Sequence, residues 1–107
     1  MANVYKNAKL DLTTTGVTVL YTAAAAKTAI FKSILVSEDS GNADTITVTI
    51  TDAAAAIFSL FKVKAVGANT TVELLTAPLV VETGEIIKVT AATANRLHVV
   101  ASYLEVS

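Results

Sequence analysis

Cysteine is absent from the 107 residues, which excludes disulfides and thiolate metal sites. Tryptophan is absent too. The three tyrosines, Tyr5, Tyr21 and Tyr103, fall inside strand patterns and are expected to pack with their hydroxyls at a rim, not to form a sugar-stacking platform. Glycine occurs four times, at Gly16, Gly41, Gly67 and Gly84, one per turn, so no glycine-rich phosphate loop exists. His98 is the only histidine. A serine hydrolase needs a base beside its nucleophile and a third group to orient the base. No serine sits in a Gly-x-Ser-x-Gly elbow. His98 shares a strand face with Arg96 and Val100 and reads as a hydrogen-bonding residue at a rim or subunit contact. No catalytic residue is expected, and the chain is not expected to be an enzyme.

Charge is also scarce. Charged residues make up 16% of the chain, against about 25% in a typical domain, while apolar residues make up 53%. So little charge leaves apolar surface to be covered by other subunits, and a homo-oligomer is expected. The net charge is −1 and the lysines are scattered, without the basic stripe of a nucleic-acid binder. No apolar run approaches the roughly 20 residues of a spanning helix. The opening Met1-Ala-Asn-Val-Tyr-Lys6 has no apolar core, so no secretory signal is expected.

What the chain has in abundance is alternation. In Asp44-Thr-Ile-Thr-Val-Thr-Ile-Thr-Asp52, Ile46, Val48 and Ile50 fall on one side and Thr45, Thr47, Thr49 and Thr51 on the other. Side chains on a strand alternate between faces, so this is a strand with an oily face and a hydroxyl face. The two aspartates bracket an aggregation-prone window. Residues 1–12 read as an edge strand or arm, because Lys6, Lys9 and Asp11 suit an exposed edge. Ala23–Ala26 and Ala53–Ala56 are too short for stable helices; the first reads as a loop or a single helical turn and the second as a loop. In the strand between Ala29 and Ser37, Ile30, Ile34 and Val36 occupy one face and Phe31 and Leu35 the other. About eight short strands follow one another at turn intervals of roughly 8–12 residues. The expected fold is all-β, a single-domain antiparallel sandwich over residues 1–107, jelly-roll-like. Its expected core is Ile46, Val48, Ile50, Phe31, Leu35, Phe61, Val63, Leu74 and Val89. Ile30, Ile34, Val36, Phe58 and Leu60 are expected at an interface. Two hairpins are expected. One joins the strand ending at Ser37 to the Asp44–Asp52 strand. The other turns at Gly67–Thr70 and sets Lys64 opposite Glu73 on an outward face, with Val63 opposite Leu74 inside.

One acidic loop, Glu38-Asp-Ser-Gly-Asn-Ala-Asp44, could supply oxygen ligands to calcium. Its spacing does not match the helix-loop-helix calcium pattern, and an acidic surface loop is expected instead. No metal ligand and no cofactor site are expected.

Four segments carry a family resemblance. Val19-Leu-Tyr-Thr-Ala23, Lys27-Thr-Ala-Ile-Phe-Lys-Ser-Ile-Leu-Val-Ser37, Gly41-Asn-Ala-Asp-Thr-Ile-Thr-Val48 and Asn95-Arg-Leu-His-Val-Val-Ala-Ser-Tyr-Leu-Glu105 resemble small β-sandwich structural proteins of tailed bacteriophage virions. Such chains often open with a Leu-Tyr-Thr-Ala-Pro-Ala-Gly-Lys-Thr type of segment. Here Ala24 and Ala26 stand where Pro and Gly would. The resemblance implies a repeated, non-enzymatic virion component, assembled in the host cytoplasm. A capsid decoration (cement) protein is expected, a homotrimer bound to the major capsid protein or other virion proteins. Alternatives are a tail or baseplate component, and a carbohydrate- or receptor-binding adhesion module.

Overall fold

The structure, a computed structural model, describes residues 3–107. Met1 and Ala2, the first positions of the expected arm, lie outside the described residues. Among the described residues nine strands follow in order: β1 (Asn3–Asp11), β2 (Thr18–Thr22), β3 (Thr28–Glu38), β4 (Asp44–Thr51), β5 (Ile57–Val66), β6 (Thr71–Glu73), β7 (Leu79–Val81), β8 (Ile86–Ala91) and β9 (Leu97–Val106). No helix forms among the described residues.

One sheet runs β1-β9-β3-β6, with β7 also pairing β3, and the other runs β2-β8-β4-β5. All pairings are antiparallel. β6 lies against Leu35–Ser37 and β7 against Ala29–Phe31, so the two are halves of one strand broken around Pro78. Counted that way there are eight strands. The chain changes sheet at every connection between them except β4–β5. That winding is a jelly roll.

Neither expected hairpin forms in that way. β3 and β4 lie in different sheets, as do β5 and β6, so Lys64 does not face Glu73. Lys64 lies opposite Ile46, and Glu73 opposite Leu35. A short polar loop between two alternating runs suits a crossover between sheets as well as a hairpin within one. Glu38 holds two of the crossovers. Its buried carboxylate accepts the amides of Ser40 (2.8 Å), Gly41 (3.0 Å) and Asn69 (3.1 Å), and the Ser40 hydroxyl. Burial pushes this carboxyl up, but the Ser40 hydroxyl and the three amides outweigh burial and bring it to about 2.

Between the sheets, Ile46 and Val48 of β4 and Ile87 and Val89 of β8 are fully buried, as are Phe31, Ile34 and Val36 of β3. Leu74 is buried as well, while Ile50, Leu60 and Phe61 pack half-buried at the margin. The placements of four residues overturn the sequence reading. β3 carries a bulge between Phe31 and Ser33. An extra residue reverses the pleat. Ala29 and Phe31 face inward before it, and Ile34, Val36 and Glu38 after it. Ile34 and Val36 are therefore core, not interface, and Leu35 is 39% exposed instead of core. Val63, also expected in the core, is 60% exposed. β5 slips register twice against β4, and Val63 sits at φ 53° with its N–H donating to Thr47 Oγ1 (3.1 Å). Both alanine loops turn through a left-handed alanine, Ala26 (φ 61°) and Ala55 (φ 68°). Ala26 is the position where the resembling segment carries glycine, which takes this conformation without a Cβ penalty.

Candidate functional site

Three polar clusters are candidates for chemistry. At one end of the sandwich, Tyr21, Phe31 and Tyr103 form an aromatic trio with ring centroids 4.7–5.2 Å apart. Glu105 closes it, accepting from Lys6 Nζ (2.8 Å) and the Tyr21 hydroxyl (2.8 Å). The Lys6 and Tyr21 hydrogen bonds hold the Glu105 carboxyl below the usual carboxylate range. Burial, then Glu105, pushes the Tyr21 phenol up. Lys6 and Glu105 neutralise each other, so this cluster orders the end of the sandwich.

At the opposite end of β9, His98 lies between two aspartates. Its Nε2 is 3.2 Å from Asp11 Oδ1 and its Nδ1 is 3.6 Å from Asp39 Oδ2. Ser37 is its neighbour across the sheet. With both ring nitrogens facing carboxylates, the imidazole has no nitrogen aimed at that hydroxyl, and a relay from acid to base to nucleophile is not assembled. Arg96 leaves this face, its Nη1 donating to the Ala43 carbonyl (2.9 Å).

The acids of the Glu38–Asp44 loop part company. Glu38 binds the loop amides, Asp39 faces His98, and Asp44 Oδ2 accepts the Thr93 amide (3.1 Å). No group of three metal-ligating side chains forms among the described residues.

The feature without an internal explanation is apolar and lies on the surface. Pairing register carries two rows across the outer face of the β1-β9-β3-β6 sheet. One row is Tyr5, Leu104, Ile30 and Val80, on β1, β9, β3 and β7. The other is Lys9, Val100, Leu35 and Glu73, on β1, β9, β3 and β6. Asn7, Ser102 and Ser33 separate them. Tyr5 is 74% exposed, so it is not the packed tyrosine expected from its strand pattern. It borders a shallow depression with Lys6, Asn7, Lys32, Ser102 and Tyr103. Of the residues expected at an interface, Ile30 alone belongs to these rows.

A second apolar surface follows β5. Ile57 and Phe58 are exposed, Phe58 by 54%. Beside them an apolar depression opens between β5 and the β6–β7 connection, lined by Leu60, Phe61, Leu74, Leu75 and Pro78 among others. Phe58 and Leu60, expected at an interface, lie on this second surface. Alternation missed the rest of both surfaces, because only the pairing register tells which apolar residues share an outer face.

No protein-family model matches the chain, and no curated protein matches it. Among solved structures it is similar to a chain in the structure of infectious bursal disease virus, Gt strain, with a TM-score of 0.49 and 8% identity. The match covers 98% of this chain and 30% of that one.

Proposed function

We propose that this chain is a non-enzymatic structural component of a tailed-phage virion, a capsid decoration (cement) protein that bridges neighbouring subunits of the shell. The observation that carries this reading is the presence of two separate exposed apolar surfaces on one small sandwich, the outer face of β1-β9-β3-β6 and the β5 edge. A bridge needs two contacts, and exposed apolar area is where contacts form. The segments that resemble phage virion proteins support the same reading. Jelly rolls recur in viral capsid and lectin domains, which is support by analogy of fold alone. In this reading the β5 edge, with Ile57 and Phe58, lies against the major capsid protein, and modest interfaces repeated over symmetric sites add up to a stabilised shell.

Cryo-electron microscopy of the native particle tests the assignment. The expected result is a sandwich at each symmetric shell site, spanning two capsid subunits with its β5 edge against them. Density in the tail or baseplate would move the protein there, and particles lacking it would refute a virion role. The Tyr5 depression favours a second reading, a carbohydrate- or receptor-binding module, because an exposed ring beside Asn7, Lys32 and Ser102 suits a sugar face and its hydroxyls. Specific binding on a glycan array that is lost in Tyr5→Ala would favour that module.

A further inference from the structure

We propose that the outer face of the β1-β9-β3-β6 sheet pairs with the same face of a second copy of this chain, about a two-fold axis that runs along the strands between β9 and β3. The inference goes beyond the virion assignment: a second copy covers one of the two apolar surfaces, and the β5 edges of the two copies remain as the two contacts of a bridge. It rests on register and charge and stands without that assignment.

A two-fold axis lying along the strands turns the second face over and exchanges its β1 side for its β6–β7 side. Positions along the strands are kept. Each row then meets itself reversed. In one row Tyr5 faces Val80 of the second copy, and Leu104 faces Ile30. In the other row Val100 faces Leu35, and Lys9 at one end faces Glu73 from the other end. Ser102 meets Ser33 in the polar row between them. Apolar groups meet apolar groups, hydroxyls meet hydroxyls, and the lysine meets a carboxylate. The remaining charges do not clash, since Asp11 faces Thr71 and Lys32 lies over Ser102. Lys9 has no carboxylate partner among the described residues of its own chain. Glu73 is held at the sheet edge by the Ser33 hydroxyl and the Ile34 (2.8 Å) and Leu75 (3.2 Å) amides, so its charge is fixed in place for that lysine.

Other arrangements fit less well. A two-fold axis across the strands would set Glu73 against Val80. A threefold ring, the arrangement expected from the sequence, needs two different surfaces that fit each other, whereas this face fits itself. Two sheets packed face to face lie about 10 Å apart with strands within about 30° of parallel. Four strands at about 4.8 Å spacing and some nine residues at about 3.3 Å rise give roughly 600 Å² per copy. The pair buries roughly 1,200 Å², the lower bound of a specific interface.

Sedimentation at micromolar concentration, with circular dichroism to confirm folding, tests the pairing. The wild-type chain is expected to be a dimer. Val100→Asp, at the centre of the face, should weaken it about a hundredfold, while Thr49→Asp on the other sheet's outer face should leave it unchanged. Lys9 supplies a second test that does not touch packing. Lys9→Ala removes an attraction and Lys9→Glu adds a repulsion, so the glutamate variant should dissociate about tenfold more readily than the alanine variant. A monomer or a trimer, equal effects of Val100→Asp and Thr49→Asp, or equal effects of the two Lys9 variants would overturn the proposal.

Discussion

The two sheets bury similar β-branched and aliphatic residues between them, yet they turn different chemistry outward. Outside β2-β8-β4-β5 one register row reads Val19, Lys88, Thr49 and Ser59, with Thr47 and Thr90 facing each other in another. Outside β1-β9-β3-β6 the corresponding rows are Tyr5, Leu104, Ile30, Val80 and Lys9, Val100, Leu35, Glu73. Threonine has the branched Cβ that suits a strand and a hydroxyl that water can satisfy. A threonine face therefore needs no partner. Valine, leucine and isoleucine have the same strand preference without the hydroxyl, and the face they make is more stable covered. Strand formation and association are thus separable choices, made at different positions of the same strands.

The largest expected effect separates the two sides of β3. Phe31→Ala should cost about 3–5 kcal/mol in chemical unfolding, because a fully buried ring leaves a cavity. Leu35→Ala should cost no more than about 1 kcal/mol when measured in the Val100→Asp background, where association does not contribute. Equal losses would mean that the bulge does not divide the strand into opposite faces.

Next comes acid. Glu38 ties two sheet-to-sheet crossovers together, and its carboxyl lies at about 2 in the fold against an ordinary 4.5. A carboxyl lowered by folding stabilises the fold above its unfolded value, and that contribution is lost as pH falls through the folded value. Stability should therefore decline from pH 4.5 towards about 2. Glu73 and Glu105, also held low, add to the decline in the same direction. Glu38→Gln should be less stable at neutral pH and show a shallower decline across that window in urea titrations at stepped pH. An unchanged slope would sink the assignment.

The smallest effect belongs to the hydroxyl sheet. Thr51 is buried, and its Oγ1 finds no hydrogen-bond partner among the described residues. Thr51→Val keeps the shape and removes an unpaired hydroxyl, so it should raise stability by about 1 kcal/mol in thermal or chemical unfolding. A loss of stability would show that the hydroxyl is satisfied after all.

By itself the sequence determined the class of the fold and the material of its strands. Alternation over Thr45–Thr51 puts Ile46 and Val48 on a face opposite the threonines, and this needs only the two-residue period of a strand. Scarce charge and dispersed glycines were equally legible, since they are properties of composition. The tertiary structure alone decided which strands are neighbours. The Gly67–Thr70 turn could close a hairpin or cross between sheets, and Glu38, bonded at once to Gly41 and Asn69, is what brings two crossovers together. It also decided the phase of β3, where one bulged residue exchanges Leu35 for Ile34 and Val36 in the core. Local pattern specifies what each side chain prefers. Long-range pairing sets the register, and only register turns separate apolar residues such as Tyr5, Leu104, Ile30 and Val80 into one continuous row.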